Sequence, residues 1–210
     1  MLLWSALGLL MLGLVMVYSA SIAMAEGSKF TGHQSTYFLM RHGFYVGVGM
    51  IAAVVAFQAP LRVWQQAAPW LFIGGFTLLI LVLIPHVGRS VNGAQRWLPL
   101  GMVNLQPSEL MKLFAVLYAA DYTSRKLSDM GSFRRGFLPM AGVMLMVGAL
   151  LLREPDFGAF VVIVAIAIGI LFLGGINARL FSALVVVLLI GFVVLIWVSP
   201  YRRERIFGFM

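Results

Sequence analysis

The sequence predicts an all-α protein: a polytopic membrane helix bundle of about seven transmembrane helices, forming a single integral-membrane domain over residues 1–210. The chain is 62% hydrophobic and only 10% charged, with a mean hydropathy of +1.00, whereas soluble domains contain about 25% charged residues. The apolar residues also fall into seven separate runs. A run of about 20 such residues is long enough to cross the hydrocarbon core.

The first three spans are predicted over residues 2–24, 43–59 and 67–84. The first run could instead be a cleaved signal peptide, because Ala23, Met24 and Ala25 resemble a small-residue cleavage site. We favour a span, since no Lys or Arg precedes the run and it is longer than a signal core. The polar residues over 25–42 predict an aqueous loop, and Pro60 and Arg62 predict the end of the second span.

Four further spans are predicted after the third. Pro107 suits the first position of a helix, which gives a fourth span over 107–122. A loop over 124–135 carries the densest group of basic residues, and the last spans are predicted over 137–152, 157–174 and 180–198. Seven spans place the two ends on opposite sides of the membrane. The basic residues are divided too evenly between the two sides for charge to decide the orientation.

The composition also argues against two classes of site. The formal net charge is +8, but the basic residues are scattered between apolar runs instead of forming one patch, so no nucleic-acid partner is expected. There is no cysteine, and His33 and His42 have no acidic residue at ligand spacing. We expect no metal site there and interpret both as solvated loop histidines.

The stretch over residues 89–112 interrupts the apolar pattern for longer than any other segment. Asn92 and Gly93 predict a turn, and the apolar segment 97–100 is expected to lie in the membrane interface or to fold back into the bundle. The polar residues collected here suggest more than a connector: Arg89, Asn92, Gln95, Arg96, Asn104, Gln106, Ser108, Glu109 and Lys112.

Glu109 and Lys112 allow two interpretations. Glu109 falls in the first turn of the fourth helix, where the macrodipole favours an acid, and Lys112 lies three residues later on the same face. The two could form a local pair that eases the start of the helix across the interface. Alternatively they could face a substrate, because ionisable residues within membrane spans are functional candidates.

The hairpin between the fifth and sixth spans packs three charged residues around Pro155. Proline is expected to hold Glu154 in an extended geometry, Asp156 to cap the sixth helix, and Arg153 to pair with Glu154. The alternative is that these side chains enter a polar cavity shared with the stretch over 89–112.

Three groups of residues resemble, in order, the signatures of the shape, elongation, division and sporulation (SEDS) family. They are 93–98 (GAQRWL), 106–109 (QPSE) with Lys112, and 154–158 (EPDFG). Residues 17–21 (VYSAS) at the end of the first span are similar to the cell-division branch rather than the elongation branch. The resemblance covers essentially the whole chain.

The resemblance implies a peptidoglycan glycosyltransferase of cell division that polymerises lipid II, the undecaprenyl-pyrophosphate-linked disaccharide-pentapeptide, outside the bacterial inner membrane. It implies a cytoplasmic amino end, a place at the division septum, and a class B penicillin-binding transpeptidase and other division proteins as partners. No cofactor is evident, and the resemblance is compatible with a divalent cation. The expected substrate-binding residues are Arg96, Gln106, Ser108, Glu109, Lys112, Glu154 and Asp156.

The chain departs from the family pattern in length. Family members have about ten spans and place their catalytic aspartate in a large outer loop after the seventh, which would follow Met210. A cytoplasmic leader is also missing. We therefore expect an amino-terminal fragment that is inactive alone, and no catalytic residue is assigned.

Two other functions remain open: a lipid II transporter (flippase), and a membrane scaffold of the division complex. ATP-driven transport has no support, because no phosphate-binding loop of the Gly-x-x-x-x-Gly-Lys-Ser/Thr type is present.

Arg96 also allows two roles. Its guanidinium could bind the pyrophosphate of lipid II through two parallel hydrogen bonds. It could instead stabilise the fold by a tie to Glu109 or to a helix-end carbonyl.

Overall fold

The computed structural model describes residues 1–91, 94–100 and 103–198, which form seven α-helices and one small antiparallel sheet. The helices and strands follow in this order: α1 Leu2–Gly27, α2 Tyr37–Gln58, α3 Leu61–Leu83, β1 Arg89–Val91, β2 Ala94–Leu100, β3 Val103–Leu105, α4 Pro107–Arg125, α5 Leu138–Arg153, α6 Phe157–Leu173 and α7 Ala178–Val198. The all-α class with seven helices is confirmed, and the sheet is an addition that the sequence pattern did not predict.

Among the described residues, five helical segments are long and apolar enough to cross a membrane: Leu3–Gly27, Tyr37–Gln58, Leu61–Leu83, Phe133–Arg153 and Ala178–Val198. The protein is therefore a multi-pass membrane protein. The other two helices differ for separate reasons, since α6 has only 17 residues and α4 carries four charged residues among its 19.

These two helices pack against each other, and their interface is built from small side chains. Ala115 and Ala119 of α4 are buried, as are Ala159 and Ala167 of α6. In lipid, small residues at one helical face let two backbones approach closely. The apolar core surrounds this pair and is completed by α5, with Met144, Val147 and Leu151 buried.

Contacts within the chain divide it into two compact units, Met1–Leu61 and Arg62–Met210. In the first unit α1 packs against α2, and the turn between them is closed by the Thr31 hydroxyl, which donates to the carbonyls of Ala25 and Ser28. A single domain over the whole chain stays a prediction. The site and the core both lie in the second unit.

Several helix ends in the structure differ from the ends that the sequence predicted. The aqueous loop is shorter than 25–42, because α1 runs to Gly27 and α2 begins at Tyr37, which places His42 in a helix. Arg62 does not end a span but lies in the first turn of α3, which continues through Pro69. A proline removes one helical hydrogen bond, and the long apolar helix tolerates this loss.

The basic loop expected over 124–135 is largely helical. It contains a 3₁₀ turn at Leu127–Asp129 and a π turn at Phe133–Phe137. The Tyr122 hydroxyl of α4 donates to the carbonyl of Gly136 at 2.8 Å, which fixes the π turn to the end of α4. Gly136 is required there, because a Cβ atom would lie 2.5 Å from the Asp129 carbonyl oxygen.

The sheet forms where the sequence predicted an interfacial or re-entrant segment. Its strand order is β1-β2-β3, with Ser90 paired to Gln95 and Leu98 paired to Leu105. The turn predicted at Asn92 and Gly93 lies outside the described residues. The central strand β2 carries Arg96, and β3 leads directly into α4.

Candidate functional site

Asp156 lies at the centre of a buried polar cluster. It is the N-cap of α6, and its Oδ1 accepts a hydrogen bond from the Ala159 backbone N–H at 3.3 Å. The predicted cap is confirmed. Aspartate is favoured at this position because its carboxylate satisfies one of the free N–H groups of the first turn.

The other oxygen of Asp156 binds the start of α4. Asp156 Oδ2 accepts from Ser108 Oγ at 2.6 Å and from Gln106 Nε2 at 3.1 Å, and the Gln106 amide also donates to Ser108 Oγ at 3.0 Å. Ser108 is completely buried. The hairpin and the stretch over 89–112 therefore meet in one site.

Arg96 joins the cluster from β2. Its Nε donates to the carbonyl of Glu154 at 3.3 Å, its Nη2 donates to the carbonyl of Pro155 at 2.6 Å, and its Nη1 lies 3.9 Å from Asp156 Oδ1. Glu154 is the C-cap of α5, so the tie to a helix-end carbonyl is confirmed. The alternative tie to Glu109 is wrong, since Glu109 pairs with Lys112.

Glu154 is buried, and the hairpin differs from its prediction. Its side chain is 0% exposed, and within the described residues neither carboxyl oxygen has a hydrogen-bond partner. The expected pair with Arg153 is wrong, because Arg153 is exposed and Glu154 is not. The expected extended geometry is also wrong: Glu154 has φ −78° and ψ 6°, and its N–H donates to Leu150 O at 3.0 Å, which continues the turn of α5.

The surroundings of Glu154 favour its neutral form. Burial and, to a lesser extent, the negative charge of Asp156 raise the pKa of this carboxyl, Arg96 lowers it, and the net result is a pKa of about 8. A buried carboxylate without hydrogen bonds would lose its hydration without compensation. Glu154 is therefore largely protonated at neutral pH.

Glu109 and Lys112 form the predicted charge pair at the start of α4. Lys112 Nζ lies 2.8 Å from each carboxylate oxygen of Glu109. The two side chains are 58% and 28% exposed respectively, so the pair lies at the surface of the unit, outside the hydrogen bonds of the Asp156 cluster. That it faces an outward cavity stays a prediction.

The residues of the site do not make a complete cation site. In the described ranges no three His, Cys, Asp or Glu residues come together, and both oxygens of Asp156 already accept hydrogen bonds. Magnesium usually keeps near-octahedral oxygen coordination.

Comparison with known proteins shows the family to which the chain belongs. The FtsW/RodA/SpoVE family model, described as a cell cycle protein, matches residues 1–210. The chain belongs to this family, the SEDS family. The segments 93–98, 106–109 and 154–158, which resemble family signatures, contribute Arg96, Gln106, Ser108 and Asp156 to the cluster.

Several relatives match throughout the chain, and two of them are highly similar to it. The probable peptidoglycan glycosyltransferase FtsW of Aromatoleum aromaticum is 71% identical over 210 residues, which are 100% of this chain and 51% of that protein. Its namesake in Burkholderia thailandensis is 54% identical over 209 residues, 100% of this chain and 45% of that protein. The chain spans about half the length of these relatives.

Solved structures of the family share the fold. A chain of a peptidoglycan synthase complex superposes with a TM-score of 0.65 at 29% identity, covering 92% of this chain and 57% of that one. The rod shape determining protein RodA of Thermus thermophilus superposes with a TM-score of 0.62 at 29% identity, covering 85% and 58%. The polytopic helical fold of a SEDS protein is thereby confirmed.

Arg96→Lys should lower the stability of this SEDS protein. Lysine keeps the charge but cannot donate to the two carbonyls of the hairpin and approach Asp156 at once, and a hydrogen bond with a charged partner contributes about 1.5–3 kcal/mol. We expect a clearly lower midpoint of thermal unfolding in detergent. Arg89→Lys, an exposed change on β1 of the same sheet, is the control. An unchanged midpoint together with lost substrate binding would assign Arg96 to the substrate instead.

The buried carboxyl predicts a pH-dependent stability. Because the pKa of Glu154 rises from 4.5 to about 8 on folding, the folded chain binds more protons than the unfolded chain between these values, and the free energy of unfolding falls as pH rises through that range. Glu154→Gln removes the titration. We expect the free energy of unfolding of the wild type to fall relative to that of the variant between pH 6 and pH 9. Thermal unfolding in detergent measures this change. Parallel pH profiles for the two proteins would contradict a buried, titrating Glu154.

Proposed function

We propose that the chain is the amino-terminal membrane part of a peptidoglycan glycosyltransferase that polymerises lipid II during bacterial cell division. The observation that carries the proposal is the 71% identity, over all 210 residues, to a probable peptidoglycan glycosyltransferase. Arg96, Gln106, Ser108, Glu109, Lys112, Glu154 and Asp156 are the proposed substrate-binding set.

The geometry divides this set into two roles. Arg96, Gln106 and Ser108 give their hydrogen bonds to the hairpin and to Asp156, so they position the start of α4 and the start of α6. Glu109 and Lys112 are the partly exposed members and are the ones able to meet a substrate directly.

Lys112 has the charge that the substrate requires. Transfer of the glycan from lipid II releases a polyprenyl pyrophosphate, and a lysine ammonium near the membrane surface stabilises that anion by charge. The amino end of α4 adds the positive end of its macrodipole. Glu109 holds the lysine side chain in place until the anion displaces it. In this proposal the residues of the set bind and orient the substrate, and none of them is assigned as the catalytic residue.

The location and partners follow from the same proposal. The chain would lie in the inner membrane at the division septum, with the Asp156 cluster on the outer side, and would work beside a class B penicillin-binding transpeptidase. Support for the partner comes from the structural neighbour, which is part of a peptidoglycan synthase complex.

A lipid II transporter or a division scaffold would use the same outer site. Polymer made from purified lipid II by the full-length protein supports the enzyme. Headgroup movement across vesicles without polymer supports transport, and partner binding with neither activity supports the scaffold.

Lys112→Met in the full-length protein should reduce lipid II polymerisation on the order of 100- to 1000-fold, because removing one donor to a developing anion has effects of this size. The change keeps the length and apolar stem of the side chain. Lys126→Met is a matched control, since Lys126 also pairs with an acid three residues away, Asp129, but at the other end of α4. Equal loss of polymerisation in both variants would exclude a specific role for Lys112.

The orientation is testable because the chain has no cysteine. We expect a cysteine introduced at the exposed position Ser128, in the basic loop, to resist a membrane-impermeant thiol reagent on intact spheroplasts. A cysteine at the exposed position Asn104, at the opposite end of α4, should react readily. Labelling of Ser128→Cys with protection of Asn104→Cys would reverse the proposed orientation.

A further inference from the structure

A groove of about 400 Å³ lies between α3 and α4, far from the Asp156 cluster. Ser108 places the cluster in the first turn of α4, whereas the groove is lined by Asp121, Ser124 and Arg125 in its last turns. A 19-residue helix is about 28 Å long. The groove is therefore a separate feature at the opposite end of the bundle.

Each wall of the groove is one polar face of an otherwise apolar helix. Gln65, Gln66 and Pro69 share a face of α3, and the three α4 residues share a face of their own helix. One turn deeper, Phe72 of α3 stacks on Tyr118 of α4 with ring centroids 4.3 Å apart. This aromatic pair joins α3 to α4 at the edge of the apolar core, next to the groove.

The groove offers hydrogen-bond donors around one paired carboxylate. Arg125 uses Nε and Nη2 on Asp121 Oδ2, at 2.9 and 2.7 Å, which leaves its Nη1 hydrogens for a ligand. The amides of Gln65 and Gln66 and the hydroxyl of Ser124 are exposed. Pro69 has no N–H, so it cannot donate the helical hydrogen bond to the Gln65 carbonyl. The groove thus offers several hydrogen-bond donors together with two acceptors, Asp121 and the Gln65 carbonyl. This combination suits a phosphodiester that also carries hydroxyl groups.

The surroundings place the groove at the depth of lipid headgroups. Trp70 is 74% exposed, as expected of an aromatic residue in the membrane interface, and Arg62 lies one turn before the glutamines on the same face of α3. The π turn, fixed to α4 by Tyr122, adds the exposed Arg134 and Arg135. Within the described residues neither arginine forms an ion pair, and apolar Phe133 and Leu138 lie exposed on either side of them.

We propose that this groove binds the phosphodiester headgroup of an anionic phospholipid in the leaflet that faces the basic loop. The guanidinium of Arg125 and the amide of Gln66 bind the phosphate oxygens, and Asp121 and the Gln65 carbonyl accept from the glycerol hydroxyls. The proposal is independent of the glycosyltransferase proposal, because it uses a different end of the molecule.

The test compares lipids bound to the full-length protein after delipidation. The protein in detergent is mixed with equal amounts of phosphatidylglycerol and phosphatidylcholine, and the bound lipids are counted by native mass spectrometry. Gln66→Glu adds a negative charge to the groove at nearly constant volume. We expect it to reduce the preference for phosphatidylglycerol about tenfold, which corresponds to about 1.4 kcal/mol. Gln58→Glu, the same change at an exposed position at the end of α2, should leave the preference unchanged.

Thermal unfolding checks that both variants are folded, and addition of inorganic phosphate or glycerol phosphate identifies the source of the ligand. Loss of the preference in Gln66→Glu alone, with no competition by the soluble anions, supports the lipid site. Displacement of phosphatidylglycerol by the soluble anions at equal concentration overturns the lipid in favour of a soluble phosphate ligand. A preference that both variants retain, or that both lose equally, overturns the groove as the binding site.

Discussion

The packing of the second unit depends on the hydrogen bonds and the positive charge that surround one buried carboxylate, Asp156. A buried carboxylate is costly unless hydrogen bonds and a positive charge replace its hydration. Asp156 obtains these from the first turn of its own helix, from Ser108 and Gln106 at the start of α4, and from the guanidinium of Arg96. Three segments that are distant in sequence are thereby held together. The close packing of α4 on α6 below the cluster follows from this arrangement at their amino ends.

Glu154 shows what this arrangement costs. Its backbone carbonyl accepts a hydrogen bond from Arg96. Its side chain, however, is buried and has no hydrogen-bond partner among the described residues. A buried polar group of this kind is uncommon in folded proteins and is often associated with function. Burial, and the negative charge of Asp156 beside it, disfavour ionisation of Glu154, so this carboxyl of the hairpin is largely neutral.

The fourth helix connects two chemically different ends. Its amino end contributes to the Asp156 cluster and carries the Glu109–Lys112 pair, while its carboxyl end carries the Asp121–Arg125 and Lys126–Asp129 pairs beside the groove. Between these ends, the alanines and Met111 face the core. Charges at both ends and small residues in the middle explain why this helix is less apolar than its neighbours. They also explain why α4 packs within the bundle.

The sequence by itself determined the features that depend on neighbouring residues or on average hydropathy. These are the seven helices, Pro107 at the start of α4, the Asp156 cap and the Glu109–Lys112 pair, all of which act over one helical turn or one span. Only the tertiary structure decided the small sheet, the hydrogen bonds from Arg96 to the hairpin carbonyls and the hydrogen bond from Ser108 to Asp156. The hydrogen bonds of Arg96 and Ser108 join residues 48 to 59 positions apart, and hydropathy carries no information about which polar groups meet. The predicted Arg153–Glu154 pair failed for the same reason, because burial of Glu154 is set by the helices around it and not by its neighbour in sequence.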